Sequence, residues 1–228
     1  MSFTRYLSSV GPALIVILAL FSVLDTITSS LPKEAVAISL ENIKSGQYYQ
    51  SIGYFDSALN LDANDTAALL SKGTAALDLG RYDEANTYYD KALAIDPNNV
   101  EALIQKGAVL FDLGRYDEAN TYADKALSVN SSDATALGEK SLVLGQLGRY
   151  NEANTYADKA LAIDPNNVGA LLSKAVALGQ LGRYNEAIAS LDKVLAVNPN
   201  NTAASNLEES YKSKLNSSNT NTTATTIS

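Results

Sequence analysis

A lysine and an aspartate recur together along the chain: Lys72, Lys106, Lys140 and Lys174 with Asp90, Asp124, Asp158 and Asp192, both series advancing by one constant interval. An amine beside a carboxylate is the minimum equipment for acid and base chemistry. A catalytic pair needs one perturbed environment, however, and a pair repeated in every copy is what a solvated structural face produces. Little else is available. The chain has no cysteine and no histidine, which removes thiolate nucleophiles, zinc–thiolate sites, disulfides and the imidazole base.

Two further motifs invite a ligand and are better explained without one. Asp96-Pro97-Asn98-Asn99 opens like a calcium loop but lacks the central glycine and the twelfth-position glutamate. It reads as helix punctuation. Gly-Arg-Tyr is too short to cradle a phosphate. No catalytic residue, metal site or cofactor is read from the sequence, and the chain reads as non-enzymatic. Seventeen Lys and Arg against 25 Asp and Glu give a net charge of -8, which repels a phosphate backbone and speaks against a nucleic-acid partner.

The interval itself comes from Gly80, Gly114, Gly148 and Gly182, whose numbers rise by thirty-four at every step. A fixed period of this size marks an array whose units bury their apolar faces only against neighbours. Four units run 66–99, 100–133, 134–167 and 168–201. In each, two apolar-periodic stretches flank a Leu-Gly-Arg-Tyr turn, the pattern of a helical hairpin. The first stretch carries Leu69, Gly73 and Ala76, repeated as Leu103, Gly107, Leu110, then Leu137, Ser141, Leu144, then Leu171, Ala175, Leu178. In the second, Ala85, Ala119, Ala153 and Ala187 form a column that never exceeds a methyl group, so paired helices must approach closely along it. Asp65, Asn99, Asp133, Asn167 and Asn201 are placed as helix N-caps. Acidic pairs such as Asp117-Glu118 would offset the dipole of the second helix.

Residues 32–65 form a degenerate copy, with Gly46 standing one full period before Gly80, as expected of a terminal unit. Ala203, Leu207, Tyr211 and Leu215 place an amphipathic capping helix over 202–215. The Ser, Thr and Asn composition of 216–228 predicts a disordered tail.

At the other end, Tyr6 to Leu24 gives 19 uncharged residues between Arg5 and Asp25, close to the span of a bilayer. Residues 1–31 therefore read as a signal-anchor with the repeats outside the cytoplasm, or as a cleaved signal peptide, or as a buried core helix. Sequons begin at Asn64, Asn130, Asn200, Asn216 and Asn221, which suits export and is also what chance produces in an Asn- and Thr-rich chain.

The unit length, the hairpin and the run G-R-Y-D-E-A followed by D-K-A-L and D-P-N-N resemble the tetratricopeptide repeat family. The bulky aromatic of the family's first helix is absent. The resemblance implies an all-α fold, a right-handed α-solenoid of stacked antiparallel helix pairs, whose first helices line a concave groove that binds peptides or partner proteins. On the face beside the packed column stand Leu70, Thr74 and Leu77; Ile104, Ala108 and Phe111; Gly138, Leu142 and Gly145; and Leu172, Val176 and Gly179, bordered by Asp78, Asp112, Gln146 and Gln180. Without a row of cationic or amide donors such a groove suits an apolar segment rather than a carboxylate terminus. The same side chains are also what internal packing would use. Two readings follow: a membrane-tethered, non-catalytic recognition scaffold, or a structural component that assembles with further copies of itself.

Overall fold

A computed structural model of the chain describes residues 48–225. The N-terminal apolar segment and residues 32–47 of the degenerate unit lie outside the described residues. Among the described residues there are ten helices and no strand: α1 Tyr48–Leu61, α2 Thr66–Asp78, α3 Tyr82–Ile95, α4 Val100–Asp112, α5 Tyr116–Val129, α6 Ala134–Gln146, α7 Tyr150–Ile163, α8 Val168–Gln180, α9 Tyr184–Val197 and α10 Thr202–Thr225. They divide into two compact units, one ending at Ile95 and one beginning at Asp96.

Local chemistry sets each boundary. The Asn99 side chain accepts a hydrogen bond from the Ala102 amide at 2.9 Å, and Asp65, Asp133, Asn167 and Asn201 do the same three residues on, satisfying an amide that the helix leaves unpaired. The first helices end on a left-handed glycine. Gly114, at φ +73°, donates to the Phe111 carbonyl while Arg115 donates to Leu110, the pairing that closes a helix and frees the chain to reverse. Between units, Asp164 accepts from the Asn166 amide at 3.1 Å and its own carbonyl from Asn167 at 3.2 Å. The D-P-N-N run is thus a side-chain-bonded turn feeding the next cap. The glutamate of the following helix is engaged by the turn arginine, Arg115 donating twice to Glu118 at 2.7 Å.

In the first unit α1 packs on α2 and α2 on α3. Tyr89 is fully buried, and a Cβ on Gly73 would stand only 2.6 Å from its ring. In the second unit α4 pairs with α5, α6 with α7 and α8 with α9, while α6 lies beside both α4 and α8. Ala119, Ala153 and Ala187 are wholly buried along these contacts. The buried Ser141 hydroxyl donates to the Ala153 carbonyl at 2.8 Å and so accepts from Ser173 at 2.5 Å, which ties the middle hairpin to the last.

The recurrent lysines do not form the solvated face that repetition suggests. Lys72, Lys106 and Lys140 are between 5 and 8% exposed. Lys72 pairs with Asp56, and Lys140 and Lys174 bond Asp124 and Asp158 at 2.5 Å, so these three reach a carboxylate on the preceding hairpin rather than one in their own. The Lys72 and Lys140 ammonium groups also lie over the rings of Tyr88 and Tyr156, at 4.6 and 5.5 Å from the centroids. Burial works against the charge of Lys72, but the bonds to Asp56 and Tyr88 outweigh it and hold its pKa above the ordinary lysine value.

The C-terminal edge is closed by α10, whose Ala204, Leu207 and Tyr211 pack with Leu178, Ile188, Leu191 and Val194. Where the two preceding second helices carry Asn120 and Asn154, Ala123 and Ala157, α9 carries Ile188 and Leu191, matching the cover it receives. The helix continues to Thr225, beyond the expected end at 215 and into the stretch expected to be disordered. No Gly or Pro follows Leu215 to stop it.

Two helical glycines should respond oppositely to one methyl group. A Cβ on Gly107 meets Ala119 and Tyr122 at 3.6 and 3.7 Å, so Gly107→Ala should raise the unfolding free energy by about 0.5–1 kcal/mol. A Cβ on Gly179 would lie 2.3 Å from Tyr211, and Gly179→Ala should cost about 1–3 kcal/mol by lifting α10. Urea denaturation of the two variants measures both.

Candidate functional site

Three first helices side by side leave a shallow groove on the second unit. Between α4 and α6 it is a depression of about 390 Å³ lined by Val100, Glu101, Ile104, Gln105, Asp133 and Thr135. Between α6 and α8 it continues past Thr135 as a smaller recess of about 70 Å³ lined also by Gly138, Glu139, Leu142, Asn167 and Gly169. Gly138 and Gly169 keep the floor low here. The caps that start α6 and α8 contribute Asp133 and Asn167 to its N-terminal end, so the turn chemistry that ends each unit also shapes the groove.

The sequence-predicted face is divided by the structure. Ile104 and Leu142 line the groove, Leu142 being 36% exposed. Ala108 and Val176 are half-buried, and Asp112, Gln146 and Gln180 are exposed on the same helices. Phe111 turns inward: its ring meets Tyr116 edge-on at 5.3 Å and packs against the cluster of Leu110, Ala119 and Val143. Leu172 packs against the core closed by α10. On the first unit Leu70 is only 8% exposed. There the Thr74 hydroxyl bonds the Leu70 carbonyl at 3.1 Å and lies 3.3 Å from the Tyr89 hydroxyl, Leu77 is half-buried, and Asp78 is exposed. Leu70 is thus buried, while Thr74, Phe111 and Leu172 are half-buried and make these contacts within the fold.

Sequence reasoning missed Glu101, Gln105, Thr135 and Glu139. A signal was present in the register. The position held by Glu139 is Ser71, Gln105 and Ser173 in the other copies, and that held by Glu101 is Ala67, Thr135 and Gly169. The groove is consequently mixed, apolar along Val100, Ile104 and Leu142 and acidic at Glu101 and Glu139.

Glu139 is half-buried. Loss of water pushes its carboxyl above the ordinary glutamate range, and the Asp112 carboxylate at the end of α4 adds to the shift. At Asp78, exposed as it is, a partial loss of water at its carboxyl pushes the pKa in the same direction. Among the described residues no group of three or more acidic residues is arranged to hold a metal ion.

A carboxyl whose pKa is raised on folding opposes the folded state above that pKa, and the opposition vanishes as the pH falls through it. Glu139→Gln should therefore raise the melting temperature by about 1–3 °C near neutral pH and leave it unchanged below about pH 4. Thermal scans of both proteins across that range check the direction. A lower melting temperature for the variant at neutral pH would make Glu139 a structural residue.

The chain matches models described as tetratricopeptide repeat over residues 76–137 and 146–211, together more than half its length, and over residues 37–100. No curated protein sequence matches it. Among solved structures it is similar to YrrB, described as a TPR protein with an unusual peptide-binding site (22% identity, 77% of this chain and 90% of that one, TM-score 0.58). It is also similar to TTC0263, a thermophilic TPR protein of Thermus thermophilus (22% identity, 81% and 98%, TM-score 0.67). A third is pilF of Pseudomonas aeruginosa (20% identity, 82% and 91%, TM-score 0.70). At these identities the likeness speaks for the fold, an all-α solenoid of stacked helix pairs. Together with the cap, turn and column pattern repeated in every unit, the match to the repeat models places the chain in the tetratricopeptide repeat family.

Proposed function

We propose that the chain is a non-catalytic interaction scaffold that binds a peptide or protein segment in the groove between α4, α6 and α8. The observation that carries this reading is the groove itself: two adjoining depressions that share Thr135, one lined by the half-buried Ile104 and the other by the exposed Leu142. Repeat arrays present such surfaces because each unit contributes an equivalent face. The peptide-binding site named for YrrB supports the same use of the fold. End-to-end assembly is less favoured, since α10 covers the apolar C-terminal edge.

The chain is further proposed to be tethered at a membrane by residues 1–31, with its repeats outside the cytoplasm. The support is the run of 19 uncharged residues from Tyr6 to Leu24 behind Arg5. Among the described residues no helix is long and apolar enough to cross a membrane, so the tether rests on that segment alone.

Two measurements test these readings. Ile104→Glu combined with Leu142→Glu should abolish enrichment of peptides from a displayed random library while circular dichroism shows unchanged helicity; undiminished enrichment would move the binding surface elsewhere. Deleting residues 1–31 should shift the protein from the membrane to the soluble fraction of cells, and a full-length chain found uncleaved in the cytosol would remove the tether.

A further inference from the structure

The groove carries charge that the fold does not require. Three of the four first helices fold with Ser or Gln where α6 has Glu139, and three with Ala, Thr or Gly where α4 has Glu101. The charge that acts on Glu139 is that of Asp112, and among the described residues no lysine acts with it. Lys106 and Lys140 lie over the rings of Tyr122 and Tyr156 on the second helices, and Lys140 and Lys174 are engaged by Asp124 and Asp158. Glu139 thus stays half-buried beside the like charge of Asp112, a placement that costs stability unless a cation is brought to it. Leu142 of its own helix lines the same recess, and Val100 and Ile104 line the adjoining depression that meets it at Thr135.

Resting on the docking function above, we propose that the occupant is a segment carrying a lysine or arginine between apolar side chains. The cation is held by Glu139, whose negative charge Asp112 reinforces, while one flanking apolar group lies on Leu142 in the same recess and another reaches Ile104 in the adjoining depression. This is the complement of a groove that combines an apolar floor with uncompensated negative charge. Glu139 selects the partner, and the apolar floor supplies the area.

The test is selection of a random peptide library on the full chain, followed by binding of the enriched peptides to variants that retain wild-type helicity. Enrichment of peptides with a basic residue flanked by apolar ones is expected. Glu139→Gln should weaken them at least about tenfold, the loss of one charge-assisted contact, and Glu139→Lys should turn the preference toward acidic peptides. Peptides lost with Leu142→Glu but lacking a basic residue and indifferent to Glu139→Gln would overturn this assignment and leave the groove in place. Absence of any enrichment dependent on Leu142 would overturn both. Dimerisation abolished by Leu142→Glu would show that a second copy of the chain fills the groove, and would also overturn the assignment.

Discussion

Everything in this chain depends on how closely two helices of a hairpin approach, and that distance is held open only to methyl size. Ala119, Ala153 and Ala187 are wholly buried where α5, α7 and α9 meet their partners. The facing positions Gly107, Ser141 and Ala175 are small for the same reason. A hairpin closed on such a seam has a thin interior of its own, and its larger side chains, Leu103, Leu110, Leu137 and Leu144, must find cover on the next hairpin. The consequence is a surface assembled from equivalent helices rather than a pocket enclosed by one domain.

The seam fixes spacing, and the lysines fix register. Lys72, Lys140 and Lys174 each reach back to an aspartate on the preceding hairpin, as Lys140 does to Asp124, and two of them also rest on a tyrosine of their own hairpin. Such a pair gains little net stability over an apolar replacement, because the desolvation of the amine offsets the attraction. It does discriminate between alignments: a hairpin slipped by one turn would leave a buried amine without its carboxylate. Stacking by apolar contact alone tolerates that error far better.

What the sequence revealed and what it concealed divide along the range of the interactions. Caps, turns and glycine stops act between near neighbours in the chain, and Asn99, Asp164 and Gly114 could be read directly from spacing. The lysine pairing could not, because the partner aspartate belongs to the hairpin before, and an exposed carboxylate at the matching place in the same hairpin looked equally suitable. Phe111 and Thr74 stand on an edge that either water or a neighbouring helix can cover, and only the packing of Tyr116 and Tyr89 decides. Glu139 was hidden by the very regularity that exposed the fold: attention to what recurs passes over the one copy that differs. The long C-terminal helix exceeded its expectation because Ser, Thr and Asn are weak helix formers, yet low propensity alone does not end a helix already begun.

The self-contained boundaries of each unit bear on how such a chain changes over generations. A segment that begins with its own asparagine or aspartate cap and ends with its own turn can be duplicated or lost by unequal recombination without a faulty junction on either side. The freedom stops at α9, where Ile188, Leu191 and Val194 are fitted to Tyr211 and Leu207. A change in repeat number upstream of that helix leaves this cover intact, whereas one that parted α9 from α10 would expose it.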